Sequence, residues 1–150
     1  MRNKQDNGPY NIFVETEITI EFFHCDPVNV VWHGNYLNFF ETARRLLLDK
    51  IGYNYYEMKK SGYAFPVVNA AVKYIGFLQH NDKAIVKAVL EEYENSLKIK
   101  FEIRNAKTGQ ITTRGVTSHM AYNFETSESC FVCPKILIDK VEAIIKENNQ

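Results

Sequence analysis

The sequence predicts an α+β fold in which a five-stranded antiparallel sheet wraps one long helix and a second helix closes the chain. Three observations predict it: a run of two-residue alternation comes first, one broad run at helical spacing follows, and four strand-like runs with short connectors come after. Strands and helices are segregated, which argues against a doubly wound parallel sheet. A chain of 150 residues, 45% of them hydrophobic, is long enough to bury a core without a disulfide or metal staple, so one domain over 1–150 is expected.

The elements follow in order. Residues 1–12 are polar and are expected to form a flexible leader. Glu15 to Phe22 alternates, with Thr16, Ile18, Ile20 and Phe22 on one face and Glu15, Glu17, Thr19 and Glu21 on the other, the period of a half-buried strand. His24-Cys-Asp-Pro27 ends it, because proline has no amide to donate and aspartate turns the backbone readily. From Asn35 the period changes: Tyr36, Phe39, Phe40, Ala43, Leu47 and Ile51 form a wide apolar stripe opposite Asn38, Glu41, Thr42, Arg45 and Asp49. Asn35 is read as the N-cap and Gly52 as the stop. A short helical segment over 53–60 precedes Ser61-Gly62, and strands are read over 65–74, 83–93, 97–104 and 111–124. In the third of these Leu97, Ile99, Phe101 and Ile103 point inward, and Asn105 to Gly109 supplies the turn after it. Pro134 opens a terminal helix with Leu137, Val141, Ile144 and Ile145 on one face.

Charge and cysteine usage narrow the function classes. Lys plus Arg and Asp plus Glu are both 18, so the broad positive field that phosphate-backbone binding needs is missing and a nucleic-acid partner is not expected. The start lacks an apolar signal-like run and no later stretch is long and apolar enough to span a bilayer, so a cytoplasmic location is expected. Cys25, Cys130 and Cys133 make an odd set without secretory context, and reduced thiols are expected. Cys130 and Cys133 have the spacing of half a zinc knuckle, but no second pair follows, and His80 and His119 have no ligand partner at a recognised spacing; no metal site is expected.

The most informative stretch is His24-Cys-Asp-Pro-Val-Asn-Val-Val-Trp-His-Gly-Asn-Tyr-Leu-Asn-Phe-Phe-Glu-Thr-Ala-Arg44. It combines an Asp-Pro turn, an apolar pair, an aromatic residue and His-Gly-Asn-Tyr before a Phe-rich helix. It resembles the signature of the 4-hydroxybenzoyl-CoA thioesterase-like acyl-CoA thioesterases of the hotdog superfamily, closely from Phe22 to about Gly52. The later strand order agrees with the hotdog layout. The resemblance implies hydrolysis of an acyl-CoA to a carboxylic acid and free CoA, with CoA present only as part of the substrate and no separate cofactor. It also implies a homodimer or homotetramer with the site at the subunit seam.

The residues themselves allow this chemistry. Asp26, in a loop before a helix, can activate water or attack an acyl carbon; Asp-Pro is also an ordinary turn dipeptide, and by itself the residue reads either way. His33, Gly34 and Asn35 sit where free amides and the positive end of a helix dipole could hold a developing oxyanion. The resemblance implies that His33 offers its backbone amide, while its ring could simply pack on Trp32 or cap a carbonyl. Gly34 would permit close backbone approach. His24 shares a strand face with Asp26, but Cys25 points the other way, which makes a Cys-His-Asp triad geometrically poor. Glu41, mid-helix within reach of Arg44 and Arg45, is a backup base because a related hotdog lineage uses a helix-borne glutamate.

Trp32, Tyr36, Phe65 and Val67 are candidates for the substrate pocket, alongside Phe39, Tyr63 and Tyr74. Two departures from the family pattern stand out. Val28-Asn29 occupies a turn where glycine is usual, although asparagine tolerates the left-handed conformation. The bend Tyr93-Glu-Asn-Ser96 lacks the basic residues that some members place there for the CoA phosphates; Lys73 is the candidate instead, with Lys59, Lys60 and Lys98, or the acyl group arrives on an acyl carrier protein. Two other readings share the fold: a non-catalytic dimer that binds acyl groups or acyl carrier protein, and an acyl-thioester hydratase or dehydratase.

Overall fold

The computed structural model describes residues 6–150, so positions 1–5 of the expected leader lie outside the described residues. The elements are β1 (Phe13–Thr19), α1 (Asn35–Ile51), α2 (Tyr55–Ser61), β2 (Tyr63–Ala64), β3 (Val67–Tyr74), β4 (Lys83–Glu92), β5 (Leu97–Asn105), β6 (Ile111–His119), β7 (Ala121–Asn123), β8 (Glu128–Cys130) and α3 (Lys135–Asn148). A five-stranded antiparallel sheet has the order β1-β4-β5-β6-β3 and wraps α1, while β2-β7-β8 form a small second sheet.

The broad apolar stripe of α1 is what the sheet closes around. Tyr36, Phe39, Phe40, Ala43, Leu47, Leu48 and Ile51 are all buried, each large one contributing about 1.5–3 kcal/mol of transfer free energy. Phe40 stacks on Phe101 of β5 with ring centroids 4.5 Å apart and 10° between planes. Its ring lies over Gly115 of β6, where an added Cβ would meet it at 2.3 Å. The inward set on β5 is buried as its alternation predicts. Gly52 ends α1 in the left-handed conformation at φ 85, returning its amide to Leu48 and Asp49. Asn54 caps α2 by accepting the Glu57 amide at 3.0 Å.

Several expectations are corrected. Phe22 is exposed rather than inward: β1 ends at Thr19, and Phe22–His24 form a 3-10 turn that lifts the ring off the sheet. Asn35 is the first residue of α1, and the cap position belongs to Gly34. Arg44, left out of the apolar stripe, is buried. The run 111–124 is two strands: after the buried His119 the chain leaves the large sheet, and Ala121–Asn123 pair instead with β2 and β8. Residues 6–12 of the expected leader pack on the sheet. Ile12 is fully buried, Tyr10 packs edge-on against Tyr93, and Lys87 Nζ donates to the Asp6 carbonyl at 2.9 Å.

Candidate active site

The segment between β1 and α1 is a tight hairpin. Cys25 and Val31 form an antiparallel bridge, the Asp26 amide donates to Val30 O at 2.9 Å, and Asn29 closes the tip at φ 64. Asparagine therefore does occupy the left-handed position where glycine is usual. Asp26 Oδ1 accepts the Val28 amide at 2.9 Å and the Val30 amide at 3.4 Å, an Asx turn that fixes the carboxyl group. No hydrogen bond reaches its other oxygen among the described residues. One oxygen holds the loop and the second is available to a water or an acyl carbon.

His24 organises the start of this hairpin. Its Nδ1 accepts the Glu21 amide at 2.9 Å, so Nδ1 is unprotonated there, and burial lowers its pKa below the ordinary value. Its ring packs edge-on against Phe39 at 5.1 Å. The His24 carbonyl accepts both the Trp32 amide at 2.9 Å and Asn35 Nδ2 at 2.8 Å, which ties the far side of the hairpin to the start of α1.

Around His33 two consecutive peptides are held by their oxygens. The Asn35 amide donates to Trp32 O at 2.9 Å, and the Tyr74 hydroxyl donates to His33 O at 2.9 Å. The amides of those same peptides, on His33 and Gly34, donate to no acceptor among the described residues. Free N–H groups at the positive end of α1 can stabilise an oxyanion. The Asn35 amide is committed to Trp32, so Asn35 holds the loop together rather than supplying an open donor. The space beside Gly34 is filled by Trp32: an added Cβ would lie 2.3 Å from the indole, so here the glycine admits a protein ring.

A second feature lies further along α1. A cavity of about 720 Å³, within the usual range for small-molecule sites, is lined by Arg44, Tyr55, Met58, Tyr63, Phe65, Val67, Tyr122 and Phe124 among others. Asp26 and His33 are not in its wall. Arg44 anchors it, with Nη1 on Glu41 at 3.1 Å and Nη2 on Phe65 O at 3.2 Å, and its Nε is buried without a partner. The Tyr55 hydroxyl donates to Glu41 at 3.1 Å. Behind Phe65 stands His119, fully buried, whose Nδ1 lies 3.2 Å from Phe65 O and Nε2 2.8 Å from Thr117 Oγ1. A carbonyl only accepts, so Nδ1 carries the proton and Nε2 accepts from the threonine. Burial, then the Arg44 cation, push the His119 pKa down to about 4.

Asp26, His33, Gly34, Asn35 and Trp32 thus come together in one loop, joined by Tyr36, which is buried against Phe39 and Tyr74. Phe65 and Val67 meet in the cavity with Tyr63, whereas Phe39 and Tyr74 do not line it. Glu41 is tied to Arg44 and Tyr55, six residues along α1 from Asn35, about 9 Å at the helical rise. Arg45 pairs with Asp49 rather than with Glu41. Lys73 stands opposite Arg114 on the outer face of the sheet, away from both the hairpin and the cavity. The Tyr122 and Phe124 part of the cavity is not legible in the sequence because β7 reads as part of a longer strand-like run, and Tyr55, on α2, reaches the cavity only through the fold. No group of three His, Cys, Asp or Glu suited to a metal occurs among the described residues, and no helix there is long and apolar enough to cross a membrane.

Comparison with known proteins identifies the family and the fold. The model of the thioesterase-like superfamily matches residues 20–141. Among solved structures, a DHNA-CoA thioesterase from Staphylococcus aureus is 30% identical with a TM-score of 0.75, over 91% of this chain and 95% of its own. A 4-hydroxybenzoyl-CoA thioesterase variant bound to 4-hydroxybenzoyl-CoA superposes with a TM-score of 0.76 at 17% identity, over 87% of this chain and 99% of its own, a likeness of fold. YneP of Bacillus subtilis (strain 168), provisionally named as an acyl-CoA thioesterase, is 28% identical over 111 residues, 73% of this chain and 80% of its own.

Proposed function

The chain belongs to the thioesterase-like superfamily and is an enzyme of the acyl-CoA thioesterase kind, and we propose that it hydrolyses its thioester with Asp26 as the base or nucleophile. The observation that carries this reading is the hairpin itself. It holds a carboxylate with one oxygen, and two amides, that have no hydrogen-bond partner among the described residues, on a single hydrogen-bonded loop at the start of α1. In the proposed reaction the thioester carbonyl oxygen lies against the amides of His33 and Gly34. Asp26 takes a proton from water as the water attacks, or attacks the carbonyl itself; the tetrahedral oxyanion collapses and expels the CoA thiolate, which leaves as the thiol once protonated. In the second case a water then hydrolyses the acyl–Asp26 anhydride to release the carboxylic acid and restore the carboxylate.

The acyl group is proposed to lie in the cavity of a second subunit. β3 is an edge strand with one neighbour, β6, and Val67, Val68, Ala70, Ala71 and Tyr74 are exposed on it. Two copies pairing antiparallel along this edge would set the Val67 end of one against the Tyr74 end of the other. The cavity beside Val67 would then face the partner's His33. Its aromatic lining suits an apolar or aryl acyl group, in keeping with the aromatic acyl-CoA thioesterases among the relatives.

Thiol release from aromatic, medium and long acyl-CoAs tests the reading, with wild type beside Asp26→Asn. Asparagine can still accept the Val28 amide, so the hairpin persists. Turnover should fall about 100-fold or more while the melting temperature holds. No release from any acyl-CoA, or full activity in Asp26→Asn, would overturn it.

A further inference from the structure

We infer that Tyr74 is a positioning residue that fixes the His33–Gly34 peptide as an oxyanion donor from across the molecule. The inference rests on the thioesterase reading of the hairpin. Tyr74 is the last residue of β3, opposite Thr113 of β6, and its hydroxyl reaches the His33 carbonyl at 2.9 Å. That carbonyl belongs to the peptide whose N–H is that of Gly34. In a trans peptide the two point in opposite directions, so holding the oxygen on the sheet side aims the amide away from the sheet. A hydrogen bond accepted by the carbonyl also polarises the peptide and makes its N–H a stronger donor.

The preceding peptide is held in the same way, its oxygen taking the Asn35 amide. That bond, however, is local to the helix start. Tyr74 supplies the tie from the edge strand, and it comes from the strand along which a second subunit is proposed to pair. The aromatic ring has its own supports: it packs edge-on against Tyr36 at 5.4 Å and against His33 at 6.4 Å. Removing the hydroxyl alone therefore leaves the ring in place and releases only the peptide.

Tyr74→Phe separates the two effects. The expected result is a kcat about tenfold lower with KM within twofold and an unchanged melting temperature, the split that belongs to an interaction made in the transition state. The amide nitrogen resonance of Gly34 should also move, because it senses the hydrogen bond on the adjoining carbonyl, while that of Gly52 at the far end of α1 stays put. A kcat within twofold of wild type, with Asp26→Asn still inactive, overturns the role of Tyr74 and leaves the thioesterase reading standing. A kcat loss matched by a proportional rise in KM overturns it too, since that is weaker binding. If wild type turns over no thioester, the functional reading fails, and the Gly34 resonance then decides alone: unchanged in Tyr74→Phe, it overturns the positioning as well.

Discussion

At the scale of single residues the hairpin depends on contacts that leave little room for substitution. Gly34 is the clearest case, because its missing side chain is where the Trp32 indole lies. Gly34→Ala must displace that ring, and because Trp32 is half-exposed the indole swings toward solvent and gives up its packing on the loop. Trp32 is the one tryptophan in the sequence, so its fluorescence reports the displacement directly. The expected outcome is a shifted emission maximum, a lower melting temperature and a kcat reduced about tenfold as the oxyanion peptides lose their position. Unchanged emission and unchanged turnover would show that the ring does not hold this loop. Asp26 is a second case, since the same carboxyl group closes the Asx turn and is proposed to act on substrate. Replacing it by alanine confounds the two roles, and replacing it by asparagine does not.

At the scale of elements, the join between α1, the segment before β3, and β6 is a chain of polar groups that runs from the exposed Glu41 into the core through Arg44, the Phe65 carbonyl, His119 and Thr117. It is most stable while His119 is neutral, because a second proton would charge a buried ring close to the Arg44 cation, although Thr117 could turn its hydroxyl to accept from Nε2. The folded pKa of about 4 lies below the ordinary 6.5, so the unfolded chain binds more protons between those values. Stability from this group is therefore complete above about pH 6.5 and is lost as pH falls toward 4, amounting to roughly 3 kcal/mol across the window. Urea unfolding of wild type and His119→Gln at pH 7 and pH 4.5 checks this. The variant should lose less stability than wild type on acidification; parallel losses would exclude His119 as the source.

At the scale of the whole molecule, β3 is a lightly protected edge. Five strands order as β1-β4-β5-β6-β3, and the last carries exposed apolar residues on both faces without the lysines, prolines or bulges that usually blunt a free edge, apart from Lys73 and one bulge near Val68. Pairing with a second copy would satisfy it and would bring the two halves of the proposed site together. Val68→Lys combined with Ala70→Lys should shift sedimentation from a dimer or larger species to a monomer. Turnover should fall more than tenfold even though the Asp26 hairpin is untouched. A fully active monomer would show that each subunit carries a complete site.

Much of this was legible before folding. The two-residue period of β5, the wide stripe of α1 and its stop at Gly52 are local patterns, and each appears in the structure because burial of a periodic face decides secondary structure where the period is strong. The grouping of Asp26 with His33, Gly34 and Asn35 was legible as well, since all four lie in one short segment. What the local pattern could not carry was long-range. Arg44 reads as a surface partner for Glu41, and its burial depends also on the Phe65 carbonyl, 21 residues away, which takes its other amino group. The end of β6, the small second sheet and the cavity it walls depend on which strands meet, as does the bond from Tyr74 to His33 across 41 residues. The sequence by itself determined the periodic elements and the grouping of the proposed site residues, because those follow from side chains a few positions apart. The tertiary structure alone decided which carbonyls are held, which amides stay free among the described residues and where a cavity opens, because those are settled by hydrogen-bond partners and packing that distant parts of the chain supply.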